Sequence, residues 1–265
     1  MLVDGKAIAG YILEAVAREV TALDYVPKLS VITCAPNFET QKYLEMKKQK
    51  AGAVGINLNV VELAVDSVTK DVTDCIEQVA KESDGVLVQL PLPSQIDREV
   101  VLSAVPVDKD PDGFLYGREE GACLPPVVGA IDEISTKYNL DWASKKVIVL
   151  GQGRLVGQPA ASYAEKNGAE VTIFTKETFD QSKLKTADII ISGIGQPHFI
   201  TRELVKDGVI IFDAGASEDG GVLAGDVHPE VAEVASLFTP VPGGIGPITI
   251  AYLLRNLLRL VRQYK

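Results

Sequence analysis

The chain has 265 residues, 46% of them hydrophobic, and a formal net charge of −10. That length suits one large or two modest domains with real cores. The acidic balance argues against a nucleic-acid or anionic-membrane partner, because the long-range field repels phosphate. Three scattered cysteines (Cys34, Cys75, Cys123) argue for a reduced compartment over a disulfide framework. With two histidines and no C-x-x-C pair, no metal site is expected. No apolar run reaches the roughly 18 residues of a membrane span, and the N-terminus lacks a signal-peptide pattern. The expectation is a cytoplasmic protein with no membrane partner.

Periodicity predicts a helix capped by Asp4 and running to about Leu23, with Ile8, Ile12, Val16 and Val20 on one face. A strand follows at Leu29–Thr33, then a helix from about Glu39 to Val54 closed by Gly55. Next come a strand at Leu58–Leu63, a helix at Thr69–Lys81, a strand at Gly85–Gln89 ending in LPLP, and a short helix at Asp97–Val105. Asp108–Pro126 is turn-rich and charged, and reads as a linker that lines a cleft. A helix at Val128–Tyr138 leads to strands at Val147–Leu150, Glu170–Phe174, Asp188–Ser192 and Val209–Phe212. TPVPGGIGPIT (Thr239–Thr249) reads as irregular. The amphipathic helix after it, from Ile248 to the chain end, is expected to pack back on the first domain. Strands alternating with helices imply an α/β protein with parallel, doubly wound sheets.

Several stretches could carry chemistry. Val147–Pro159, VIVLGQGRLVGQP, is an apolar strand, a glycine turn (Gly151, Gly153, Gly157) and a helix start. That order suits a pyrophosphate resting on helix N-terminal amides, although a glycine turn in any α/β protein reads the same way. Tyr43 and Lys47 lie one turn apart on a predicted helix, so a ring and an amine share a face; Lys42, Lys48 and Lys50 nearby suit a merely solvated face equally. Gln89 ends an apolar strand, where ligand crevices of open α/β sheets lie, or is simply an amide satisfied by a loop. Asp112 sits in D-P-D-G, which turn formation alone explains, and whose carboxylate could also bind an amino-pyrimidine edge.

The residues together resemble the bifunctional methylenetetrahydrofolate dehydrogenase/methenyltetrahydrofolate cyclohydrolase family. The resemblance runs nearly end to end: VDGKAIA at Val3, Y-x-x-x-K at Tyr43, GVLVQLPLP at Gly85, DKDPDGF at Asp108, GQGRLVGQP at Gly151, TADIIISGIGQP at Thr186, GDV at Gly225 and TPVPGGIGPIT at Thr239. It implies a folate-binding catalytic domain over 1–120, joined by the helix 248–265, and a Rossmann-like NAD(P)-binding domain over 121–247, with a cleft between them and a homodimer. It implies NADP-dependent oxidation of 5,10-methylenetetrahydrofolate, then hydrolysis to 10-formyltetrahydrofolate. Lys47 falls on the family's catalytic lysine, Tyr43 on the ring that stacks on folate, Gln89 on the lysine's partner and Asp112 on the pterin carboxylate. Pro242, Gly243 and Gly244 would border the folate. Gly151, Gln152, Gly153, Arg154, Val156, Gly157, Lys176, Gly193 and Ala216 are the expected cofactor positions.

The chain departs from the family pattern in places. Gln152-Gly153 stands where the family usually has R-S, and Phe174-Thr175-Lys176 where it often has C-H-S. Lys176 suits the 2′-phosphate of NADP, whereas Glu177 suits the ribose of NAD. Pro125–Val128 replaces P-C-T-P. A monofunctional cyclohydrolase, an NAD-preferring dehydrogenase and a catalytically silent folate- or nucleotide-binding protein are the competing readings.

Overall fold

The computed structural model describes residues 1–220 and 222–264. The last residue of the expected terminal helix, Lys265, lies outside the described residues. The chain divides into two compact units, Gly10–Pro126 with Ile250–Lys265, and Met1–Ala9 with Val127–Thr249. Two of the three dividing points fall within the first and last helices, α1 (Gly5–Thr21) and α8 (Ile245–Tyr264), and the third follows Pro126.

The first unit holds a parallel three-stranded sheet of order β2-β1-β3, made of β1 (Lys28–Cys34), β2 (Asn57–Leu63) and β3 (Gly85–Val88). Central β1 is covered on both faces, hence its unbroken run of buried Leu29 to Cys34. Edge strand β2 is largely exposed. Helix α2 (Phe38–Ala53) is opened by Asn37, whose Oδ1 accepts from the Thr40 amide at 2.8 Å. Helix α3 (Thr69–Ala80) buries Val72 and Ile76; Asp97 caps α4 (Arg98–Ser103).

The segment Asp108–Pro126 is not a free linker. Phe114, Leu115 and Cys123 are buried, and Asn256 of α8 donates to the carbonyls of Pro111 and Leu124 at 2.9 Å each. Its turn chemistry disguised three apolar anchors. Helix α8 also starts earlier than expected, at Ile245. Pro247 fits there because the first helical turn has no amide bonds for a proline to remove.

In the second unit, helix α5 (Pro126–Tyr138) leads into a parallel sheet of order β10-β7-β6-β4-β5. Its strands are β4 (Lys146–Leu150), β5 (Glu170–Phe174), β6 (Ile189–Ser192), β7 (Ile210–Asp213) and β10 (Leu237–Phe238), with α6 (Gly157–Lys166) following β4. Ile148, Leu150, Ile190, Ile211 and Phe238 form the core on one face; each such burial is worth roughly 1.5–3 kcal/mol. Trp142 stacks on Phe212 at 5.9 Å and meets Tyr163 edge-on at 5.4 Å. The sequence reading grouped 1–9 with the first domain. The structure groups them with the second unit and lays Met1–Val3 beside β10, where the Val3 amide donates to the Phe238 carbonyl at 2.9 Å and Leu2 bridges to the same residue. Two short elements escaped the pattern: α7 (Gln181–Leu184) and the antiparallel hairpin of β8 (Ser217–Asp219) and β9 (Val222–Ala224).

Candidate active site

The Lys47 cluster is assembled from three places in the first unit. Helix α2 presents Tyr43 and Lys47, both partly buried, on either side of buried Leu44, while Lys42, Lys48 and Lys50 are exposed. Gln89 continues β3 by donating its backbone amide to Ile32 at 2.8 Å. Its side-chain Nε2 donates to the Leu90 carbonyl at 2.8 Å, which turns Oε1 toward Lys47. Lys47 Nζ donates to that oxygen at 2.8 Å. Burial pushes the Lys47 amine below its ordinary range, and the Asp112 charge offsets part of this. Burial pushes Asp112 up, with Lys47 opposing. The structure thus brings Lys47, Gln89 and Asp112 together, with the Tyr43 ring one turn away.

Asp110, two residues before Asp112, was not singled out from the sequence. It is fully buried, and its Oδ2 accepts from the Leu115 amide at 3.1 Å. Burial, then the Asp112 charge, pushes its carboxyl up to about 7. Gly113 must be glycine: its φ is +70°, and a Cβ would lie 2.5 Å from the Cys123 carbonyl oxygen. An amine whose charged form is disfavoured by burial, and which an amide orients, is suited to accepting a proton from water.

The second unit supplies the glycine turn. Gly151 has φ +89° and donates to Phe174 at 2.8 Å. Gly157 begins α6, and a Cβ there would overlap the Gly151 carbonyl oxygen, so strand, turn and helix touch. Gly193, beyond β6, leaves room for Val156; a Cβ would meet its Cγ1 at 2.8 Å. Gly153 has open space around it, and exposed Gln152 and partly buried Arg154 flank it. A tight turn, exposed backbone and a helix start fit a dinucleotide's phosphates. Lys176, after β5, is exposed, as is Ala216 after β7. Glu177 Oε2 accepts from the Thr175 hydroxyl at 2.6 Å, and this bond draws its carboxyl below the usual range. The Pro242–Gly244 turn belongs to this unit too: Gly243 has φ +109° and accepts from the Gly5 amide at 2.9 Å.

Two family models cover most of the chain. Residues 3–112 match the tetrahydrofolate dehydrogenase/cyclohydrolase catalytic domain, and 125–265 match the NAD(P)-binding domain of the same family. The chain belongs to the tetrahydrofolate dehydrogenase/cyclohydrolase family. The bifunctional protein FolD of Staphylococcus haemolyticus is 38% identical, over 97% of this chain and 95% of that protein. The crystal structure of the bifunctional FolD enzyme of Campylobacter jejuni superposes with a TM-score of 0.93 at 31% identity, covering 100% of this chain and 99% of that one. The Trypanosoma brucei FolD, solved with NADP and an inhibitor, gives 0.92 at 30% identity over 99% and 97%.

Membership in this family makes the two domain types those of a catalytic and an NAD(P)-binding module, as the resemblance implied. Among the described residues no group of His, Cys, Asp and Glu could hold a metal ion, and no helix is long and apolar enough to cross a membrane. The sequence reading missed one feature of the second unit, the buried carboxylates Asp213 and Asp226. Each lies near a glycine, in D-A-G and A-G-D, a context that by itself reads as a solvated turn.

Proposed function

We propose that this chain oxidises 5,10-methylenetetrahydrofolate with NADP and hydrolyses the methenyl product to 10-formyltetrahydrofolate. The observation that carries the reading is the Lys47–Gln89 hydrogen bond: a desolvated amine oriented by an amide is suited to proton handling. In the hydrolysis, water adds to the electrophilic methenyl carbon and loses a proton. Lys47, held by Gln89, accepts that proton as the carbon–oxygen bond forms; the carbon–N5 bond then breaks, the leaving nitrogen taking up a proton while the hydroxyl on carbon gives one up, and the formyl group is left on N10. Tyr43 stacks on the folate ring, Asp112 holds the pterin edge, and Pro242, Gly243 and Gly244 border the substrate.

When bound, NADP supplies the hydride acceptor. The turn Gly151–Gly157, with Gln152, Gly153, Arg154 and Val156, holds its phosphates, Lys176 pairs with the 2′-phosphate, and Gly193 and Ala216 line the rest. Glu177 favours NAD only if its carboxylate is available to a ribose, and its bond to Thr175 commits it elsewhere. The folate chemistry is assigned to Gly10–Pro126 with the terminal helix. A homodimer in the cytoplasm completes the proposal; the exposed edge strand β5 is a surface suited to pairing.

Absorbance of methenyltetrahydrofolate tests this directly. Purified protein mixed with the methylene substrate should form it with NADP and much less with NAD, and should accelerate decay of added methenyl substrate. Decay without oxidation would leave a monofunctional cyclohydrolase. Oxidation with NAD alone would shift the cofactor assignment to Glu177. Absence of both reactions would refute the proposal and leave a silent binding protein.

A further inference from the structure

The second unit contains two carboxylates with no exposure to solvent to speak of, Asp213 at 1% and Asp226 at 0%. Burying a carboxylate is unfavourable unless hydrogen bonds replace its water, and here six donors do so. Asp226 Oδ2 accepts from the Ser192 hydroxyl at 2.7 Å and the Ile194 amide at 2.8 Å, and its Oδ1 from the Gln196 amide at 2.8 Å. Asp213 Oδ1 accepts from the amides of Gly215 at 2.9 Å and Asp226 at 3.2 Å, and its Oδ2 from Val227 at 3.0 Å. Two glycines make room. A Cβ on Gly215 would overlap the Asp226 carboxyl, and one on Gly225 would overlap Asp213.

Four of the six donors lie at the carboxyl ends of β6 (Ser192, Ile194, Gln196) and β7 (Gly215), the side of a parallel sheet where ligands lie, and the other two, the Asp226 and Val227 amides, follow β9. The β6 loop carries Gly193, and the β7 loop carries Ala216. The Asp213 backbone amide, apart from its carboxylate, donates to Thr239 Oγ1 at 2.7 Å. Further bonds, His198 to the Gly225 carbonyl at 3.0 Å and Ile200 to Asp226 at 2.9 Å, hold the two segments side by side.

An apolar pair would leave these six donors without their acceptors, so the loops would have to rearrange. A carboxylate gathering three donors from Ser192 to Gln196 instead fixes that loop's backbone before any ligand arrives. Preorganisation of this kind lowers the ordering cost of binding.

We propose that Asp226 is a positioning residue for the nicotinamide cofactor: it fixes the Ser192–Gln196 loop in its cofactor-receiving shape, and Asp213 fixes Asp226. This rests on the cofactor assignment above. Asp226→Asn keeps the shape of the side chain but replaces one acceptor oxygen with a donor, so at least one loop amide loses its partner.

Three quantities test it on the purified full chain: the NADP dissociation constant by calorimetry, amide hydrogen exchange over 192–196 in the free protein, and the cyclohydrolase rate, which uses no cofactor. Asp226→Asn should weaken NADP binding by about tenfold or more, equivalent to about 1.4 kcal/mol. It should also speed exchange at Ile194 or Gln196, whichever amide loses its acceptor oxygen, and leave the cyclohydrolase rate unchanged. The NADP KM should rise with kcat much less affected. Should Asp226→Asn lose the cyclohydrolase as well through misfolding, Ser192→Ala decides, because it removes a single bond; weaker NADP binding supports the proposal and unchanged binding overturns it. A folded Asp226→Asn that binds NADP as the parent does overturns the proposal alone. A parent that binds neither NADP nor NAD overturns the cofactor assignment and the proposal together.

Discussion

The two candidate sites are built from different materials. The Lys47 cluster is made of side chains: one amine, one amide and one carboxylate, drawn from positions 47, 89 and 112 and tuned by burial. The glycine turn is made of backbone, and its key residues matter for what they lack. A side chain at Gly157 would overlap the Gly151 carbonyl, and one at Gly193 would meet Val156. Chemistry that moves a proton needs a group of adjusted pKa, whereas holding phosphates needs amides brought close together. Substitutions should therefore separate the two activities, and each of the following is a way to make that separation fail.

The largest effect is expected at Lys47. Lys47→Met should lower the cyclohydrolase rate by roughly 10²–10⁴-fold, the usual worth of a positioned general acid–base group, while NADP affinity stays as it was. Steady-state assay of methenyl decay together with NADP calorimetry checks both halves. Full retention of the hydrolysis would remove Lys47 from its role.

The converse lies at Gly157. Gly157→Ala forces the helix away from the turn, and NADP binding should weaken by roughly 30-fold, the equivalent of about 2 kcal/mol. Methenyl hydrolysis should persist. Equal loss of both activities would mean that the glycine supports the whole chain and not one site.

A smaller effect is expected at Lys176. Its Ala variant should raise the NADP KM by about tenfold, within the range of one charge-assisted contact, and leave the NAD KM alone. Initial rates with each cofactor give the comparison, and an equal change for both would deny Lys176 contact with the 2′-phosphate.

Legibility followed the same division. The Lys47 cluster could be named from resemblance but not from pattern, since Lys42, Lys48 and Lys50 make the helix look solvated, and the 42 residues separating Lys47 from Gln89 carry no periodic signal. The strands β1, β4, β6 and β7 were plain because buried parallel strands are continuous apolar runs. What escaped was set by long-range contact: residues 1–9 joining β10, Asp108–Pro126 anchored by Asn256, and Pro247 tolerated inside α8. The Asp213–Asp226 brace was invisible because two acids in turn-like contexts ordinarily face solvent.

The smallest effect concerns stability. Folded Asp110 keeps its proton up to about pH 7, whereas its ordinary value is 3.8. The stability contributed by that difference is fully present below the ordinary value and is lost as pH rises through about 7. Asp110→Asn stays neutral throughout. Relative to the parent, its thermal midpoint should therefore improve between mildly acidic and mildly alkaline buffer by at least about 2 °C. A gap that stays constant across that range, followed by scanning calorimetry, would place the Asp110 ionisation elsewhere.

The central claim is that one desolvated amine, oriented by Gln89, handles the proton. Its most direct test is an NMR titration of the 15N-lysine-labelled protein, with the Lys47 signal assigned by its absence in Lys47→Met. The account predicts that Lys47 titrates below the ordinary lysine value of 10.5, and that Gln89→Glu, which places a negative charge beside the amine, moves it upward. A Lys47 amine that titrates at or above 10.5 in the parent would contradict it.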